Sequence, residues 1–177
     1  MGFGPGALCN IGMNTSLTQE ERERYQNTDI IRDILNTAKT IAIVGLSSDR
    51  QKASYFVGSY LQYEGYRIIP VSPKGGEILG QPCYPDLASI PYKVDLVNIF
   101  RLAQEVMPIV EQAIAIKAKA VWIQLRIVNF EAADKAIAAG LHVVMDKCVK
   151  MEHGRYWGGL HWAGMNTEII SARRAAR

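Results

Sequence analysis

Apolar residues along this chain follow two patterns. Runs that are apolar at nearly every position occupy 40–45, 66–71, 95–100, 120–125 and 141–146. Such runs are typical of parallel strands covered on both faces. Between them, apolar residues recur at helical spacing over 54–64, 104–117 and 129–139, which predicts amphipathic helices. Gly65 closes the first of these. Ahead of the first strand, Ile30, Ile31, Ile34, Leu35 and Ala38 show the same spacing. Thr18 with Glu21 three residues later has the form of a capping box. The reading is one helix from Thr18 to about Lys39, broken near Asn27-Thr28-Asp29.

Short strands alternating with longer helices predict an α/β domain with a parallel sheet. Right-handed crossovers then give a Rossmann-like, doubly wound sheet of five strands with an extra N-terminal helix. The expected strand order is 3-2-1-4-5, with its switch point beside strand 1. Ligands of such sheets bind at the carboxyl ends of the strands, at that switch. The expected organisation is a loose, glycine-rich leader over 1–17, a single domain over 18–153 and a tail over 154–177. The tail carries Tyr156, Trp157, His161, Trp162, Arg173, Arg174 and Arg177. It is expected to pack on the domain, or on a second copy through its tryptophans.

Composition narrows the class. The chain has 177 residues, 49% hydrophobic and 21% charged, which excludes disorder and low complexity. A formal charge of +3 is too weak to suggest a nucleic-acid partner, though it suits a small anion. Cys9, Cys83 and Cys148 are too few for a disulfide framework, and no Cys/His cluster has zinc spacing. Glycines and Asn10 interrupt the opening segment, and no apolar run is long enough for a membrane span. The expectation is a cytoplasmic, reduced protein with no membrane partner.

The candidate chemistry begins after strand 1. The loop over 45–54 joins that strand to a helix, where backbone N–H groups make a natural anion site. Gly45 permits a sharp turn, Ser47 and Ser48 add hydroxyl donors, and Arg50 and Lys52 add positive charge. These features suit a phosphate or pyrophosphate. The competing reading is that Ser47 and Ser54 only cap a turn and a helix. The loop has neither the G-x-G-x-x-G nor the G-x-x-x-x-G-K-[ST] pattern. Strand 2 ends in Ser72-Pro73-Lys74-Gly75-Gly76, not in the acidic residue of an NAD site. A lysine there suits an extra phosphate on the ribose, which NADP and coenzyme A both carry.

Five segments carry a resemblance. They are Ile41-Ala42-Ile43-Val44-Gly45-Leu46-Ser47, Gly65-Tyr66-Arg67-Ile68-Ile69-Pro70-Val71-Ser72-Pro73, Val94-Asp95-Leu96-Val97-Asn98-Ile99-Phe100-Arg101, Val121-Trp122-Ile123-Gln124-Leu125 and Met145-Asp146-Lys147-Cys148. Over 38–153 the chain resembles the stand-alone CoA-binding proteins. Those are similar in turn to the amino-terminal domain of the succinyl-CoA synthetase α subunit. The resemblance implies that coenzyme A or an acyl-CoA lies along the strand ends. Gly45, Ser47 and Ser48 would face the pyrophosphate, and Lys52 takes the family's basic position. Pro73 and Lys74 would sit by the adenosine and its 3′-phosphate, with one residue fewer before the lysine than in the synthetase. Phe100 and Arg101 would line the cleft. Ile123, Gln124 and Leu125 would lie under the pantetheine arm. One departure is Arg126, which stands where the family has glycine. It either blocks that path or reaches a phosphate.

Cys148 has two readings. At the end of strand 5 its thiol could form a mixed disulfide with CoA, or it could be an inert core cysteine. No catalytic set is evident. His142, His153 and His161 are scattered, and His142, inside an apolar strand, reads as a satisfied structural histidine. The resulting expectation is a binding protein without chemistry of its own. The alternatives are a regulatory protein with a vestigial pocket and an NADP-dependent oxidoreductase.

Overall fold

The structure, a computed structural model, describes residues 17–157. Most of the leader and the segment after Trp157, with Cys9, His161 and Trp162, lie outside the described residues. The chain opens with α1 (Gln19–Tyr25) and α2 (Thr28–Thr37). Thr18 and Glu21 form the reciprocal capping box, and Asn27 caps α2 through the amides of Asp29 and Ile30. The expected break therefore falls where a second N-cap begins a new helix.

Five parallel strands follow: β1 (Thr40–Val44), β2 (Arg67–Val71), β5 (Leu96–Ile99), β6 (Ala120–Ile123) and β7 (His142–Met145). The turn-rich stretch after β2 forms a small hairpin of β3 (Glu77–Ile78) and β4 (Gln81–Pro82). Helices α3 (Ala53–Tyr63), α4 (Val106–Ala115), α5 (Phe130–Ala138) and α6 (Val149–Tyr156) complete the fold. A short 3-10 turn over Ala103–Glu105 leads into α4.

The fold class is as expected, but the strand order is not. The sheet runs β2-β1-β5-β6-β7, which is 2-1-3-4-5 rather than 3-2-1-4-5. The third strand pairs with β1, Ile41 to Leu96 through Val44 to Ile99, and β2 is left at the edge. Pro70 gives a physical reason. It sits inside β2 opposite Ile43 and has no N–H to donate, so proline suits an edge strand better than a central one. A single-residue pairing of Val71 with Tyr84 covers the open side: Tyr84 N donates to Pro70 O at 2.9 Å and Ser72 N to Tyr84 O at 2.8 Å. The switch point lies between β1 and β5, still beside the first strand.

Two apolar layers enclose the sheet. Ile41, Ile43, Leu96, Trp122 and Val144 face α2, α3 and α6, where Ile31, Val57, Leu61 and Val149 meet them. Ala42, Val97, Ile99, Val121, Ile123 and Met145 face α4 and α5 and also meet Tyr25 of α1. Strand positions alternate between these layers. This alternation places Asn98 and Gln124 on the α3/α6 side.

Candidate functional site

The carboxyl ends of the strands gather most of the residues singled out from the sequence. Gly45 leaves β1 with φ +86°, and a Cβ there would meet Phe100 O at 2.5 Å and Arg101 Cδ at 2.9 Å. Only glycine lets the loop over 45–52 pass this close to the end of β5. The loop is held by its own polar groups. Ser47 N donates to Ser54 Oγ at 3.1 Å, Asp49 N to Ser47 Oγ at 3.1 Å and Gln51 N to Asp49 Oδ1 at 2.9 Å. Ser47 Oγ thus closes a turn, as the capping reading expected, whereas the buried Ser54 lies inside α3, accepts from Ser47 N and caps no helix. Lys52 is the N-cap of α3 and supplies no side-chain cap. Ser48, Arg50 and Lys52 are exposed.

The neighbouring segment turns back at the end of β2. Gly75 N donates to Ser72 O at 3.2 Å, and Gly75 and Gly76 have φ of +64° and +85°. Pro73 and Lys74 stand exposed on this turn. Beneath it, Cys83 Sγ lies 3.6 Å from Ser72 O, and burial pushes its thiol pKa up.

At the switch point, Phe100 packs half-buried against the α3/α6 layer. Arg101 points to solvent and is paired with Glu105. Behind them lies a buried amide pair: Gln124 Nε2 donates to Asn98 Oδ1 at 2.7 Å. Asn98 is fully buried, and its Nδ2 has no protein partner among the described residues. Such a donor marks a place that a water or a ligand acceptor can fill. Ile123 is fully buried in the α4/α5 layer, so its side chain is a packing element. Leu125 is half-buried.

The sequence left the role of Arg126 open; its backbone provides part of the answer. Ile127 N donates to Gln124 O at 3.0 Å, closing a turn whose third residue is Arg126 at φ +66°. A type II turn requires φ > 0 there and normally takes glycine. The turn is clamped to the end of β7, where the buried Asp146 accepts Arg126 N at 2.7 Å. Asp146 itself has φ +57°, and its carbonyl, with that of Met145, accepts from Gln26 Nε2.

Cys148 is the N-cap of α6 and half-buried against the α3/α6 layer. Burial pushes its thiol up, outweighing the helix amides of Met151 and Lys150 that face the sulfur. It therefore lacks the lowered pKa of a reactive cysteine. One turn along, Glu152 and Arg155 form a buried ion pair at 3.0 Å, joined by Lys147 at 3.5 Å. Glu152 Oε2 and Arg155 Nε have no partner among the described residues. His153 is buried beside Tyr60, with 2.9 Å between Tyr60 Oη and His153 Nδ1. Burial lowers the histidine's pKa and pushes Tyr66, at its ring edge, up to about 12. His142, by contrast, is exposed at the start of β7, not a buried structural histidine. It is the first residue of its strand, so the apolar layers do not reach it.

Sequence reasoning gave no site role to Asn98, Asp146, Glu152 or Arg155. Asn98 had a readable signal, one polar residue inside an otherwise apolar run. Asp146 had none, because its role is a contact between two strand ends.

The family described as "CoA binding domain" matches residues 39–154. The chain belongs to that family. It is 37% identical over 123 residues to the uncharacterized protein YneT of Bacillus subtilis (strain 168), covering 70% of this chain and 91% of that protein. Among solved structures, a hypothetical protein from Pyrococcus horikoshii OT3 superposes with TM-score 0.70 at 42% identity, over 72% of this chain and 90% of that one. A stretch of 74 residues is 36% identical to acetate–CoA ligase [ADP-forming] I of Archaeoglobus fulgidus. That stretch is 42% of this chain and only 11% of the ligase. The matched region of this CoA binding domain takes in the loop after β1, the turn after β2, the Asn98–Gln124 pair and the Arg126–Asp146 clamp. No helix among the described residues is long and apolar enough to cross a membrane.

Proposed function

We propose that this protein binds coenzyme A or an acyl-CoA across the carboxyl ends of its strands and performs no chemistry of its own. The observation that carries the reading is the loop over 45–52. It brings half-buried Ser47, exposed Ser48, Arg50 and Lys52, and the uncapped first turn of α3 to the switch point. A pyrophosphate is the group this arrangement suits. Lys74, on the turn beside it, takes the 3′-phosphate. The buried Asn98 Nδ2 supports placement of the amide-bearing pantetheine arm over β5 and β6, since it is a donor with no partner among the described residues. The raised thiol of Cys148 favours a noncovalent complex. No group of three or more His, Cys, Asp or Glu that could hold a metal ion is found among the described residues.

Titration calorimetry with CoA and with dephospho-CoA, which lacks the 3′-phosphate, tests the reading. CoA is expected to bind in the micromolar range or tighter. Lys74→Ala is expected to weaken CoA about tenfold, the scale of one charge-assisted contact, and dephospho-CoA much less. Absence of CoA binding removes the proposal, and equal losses for the two ligands remove Lys74 from the phosphate.

A further inference from the structure

The cations along the carboxyl edge of the sheet are not equivalent. Arg50 and Lys52 serve the end of β1, and Lys74 the end of β2. At the other wing, Arg101 is paired with Glu105 and Lys147 with Glu152, and Lys150 lies 3.9 Å from the centre of the Phe56 ring. Arg126 differs from all three. Its side chain is exposed, and its guanidinium has no partner among the described residues. Only its amide is engaged, by Asp146.

Its backbone is also in an unfavourable state. A non-glycine residue in the left-handed region costs roughly 1–2 kcal/mol. Here two such residues, Arg126 and Asp146, are hydrogen-bonded to each other at neighbouring strand ends. Strain of this kind persists only where the surroundings over-determine it, and it clusters at functional sites. Glycine would relieve the strain at 126; arginine keeps it and gains a charge. Two strand spacings, about 10 Å, separate β1 from β6. One wing therefore offers cations to a nucleotide's phosphates, and at the far wing the Arg126 guanidinium has no partner among the described residues.

We infer that Arg126 forms an acyl subsite that selects CoA thioesters whose acyl chain ends in a carboxylate, as in the half-thioester of a dicarboxylic acid. A guanidinium held by a rigid turn matches a carboxylate in bidentate geometry. Asp146 accepts the Arg126 amide and forms no ion pair with the Arg126 guanidinium among the described residues. A neutral acyl chain gains nothing from the charge, and free CoA does not reach it.

The inference rests on the CoA reading, and its test separates the two. Binding of CoA, butyryl-CoA and succinyl-CoA to the full chain is measured by calorimetry at fixed ionic strength. Succinyl-CoA is expected to bind about tenfold tighter than butyryl-CoA, the scale of one charge-assisted pair, with the ratio shrinking as salt rises. In Arg126→Gly the ratio is expected to fall to within about twofold. That variant suits the local φ, so its melting temperature is expected to be unchanged or raised. Equal affinities for the two thioesters in the wild type, or a preference that survives Arg126→Gly, overturn the inference while CoA binding stands. Failure of CoA itself to bind overturns both.

Discussion

The two ends of the parallel sheet treat their polar groups in opposite ways. At the amino ends of β1, β5 and β6, Asp95 accepts from Lys39 N at 3.0 Å, Thr40 N at 3.1 Å, Thr40 Oγ1 at 2.9 Å and Lys119 Nζ at 2.9 Å. Burial pushes the Asp95 carboxyl up, but hydrogen bonds led by Lys119 hold it well below the usual carboxylate range. At the carboxyl ends, the first turn of α3 lacks a side-chain cap and Asn98 Nδ2 has no partner among the described residues. A cavity of about 270 Å³ lies at the amino end, lined in part by Asp33, Thr37, Asp95, Lys119 and His142. Its Asp95–Lys119 pair is already satisfied, so that end contributes to stability. The end with unused donors is where a ligand has something to gain.

The sharpest way to break this contrast is at Gly45. Gly45→Ala is expected to cost about 3–4 kcal/mol, because its Cβ would collide with Phe100 O in a backbone state that L residues avoid. Denaturant unfolding reads the loss, and CoA affinity is expected to fall with it because the loop must move. A variant of unchanged stability would show that the close approach of β1 and β5 is not a constraint. Next in size, Asp95→Ala is expected to cost about 2–3 kcal/mol by orphaning two amides and a lysine. That corresponds to a lower melting temperature by about 5–10 °C. CoA affinity measured well below that temperature is expected to stay within about twofold. A large affinity loss would mean that the two ends are coupled.

The smallest effect is in pH. Burial holds the His153 pKa below its ordinary 6.5, so the unfolded chain binds the proton more readily. His153 therefore contributes stability that is present above pH 6.5 and is lost as pH falls through its folded pKa. Chemical denaturation at pH 7.5 and 5.5 is expected to show the loss, with His153→Gln flattening the profile. An identical slope in that variant would assign the loss to other groups. Asp95, also depressed, loses its contribution only at more acid pH, as its carboxylate protonates.

Much of the α/β class was legible because a strand buried on both faces must be apolar throughout, and the five runs show that directly. Helix limits were legible where side chains close them. The Thr18–Glu21 box, the Asn27 cap and the Asn129 cap of α5 are all local. The loop over 45–52 stood out as a candidate for the same reason, since its glycine, serines and basic residues lie in one short stretch. Strand order was misread because runs alike in composition do not say which neighbour they pair with. Pro70 was the one residue that could have corrected it.

The sequence by itself determined which segments become strands and helices, and which loop carries a glycine, two serines and two basic residues after β1. These follow from the periodicity of neighbouring residues and from short-range hydrogen bonds. Only the tertiary structure decided that β5 lies against β1 and that Gly45 passes under Phe100 O. It also decided that Gln124 pairs with Asn98 and that Asp146 holds the Arg126 amide at positive φ. Each of these is a contact between residues about twenty or more positions apart. No local propensity encodes such a contact, and packing of the two layers sets it.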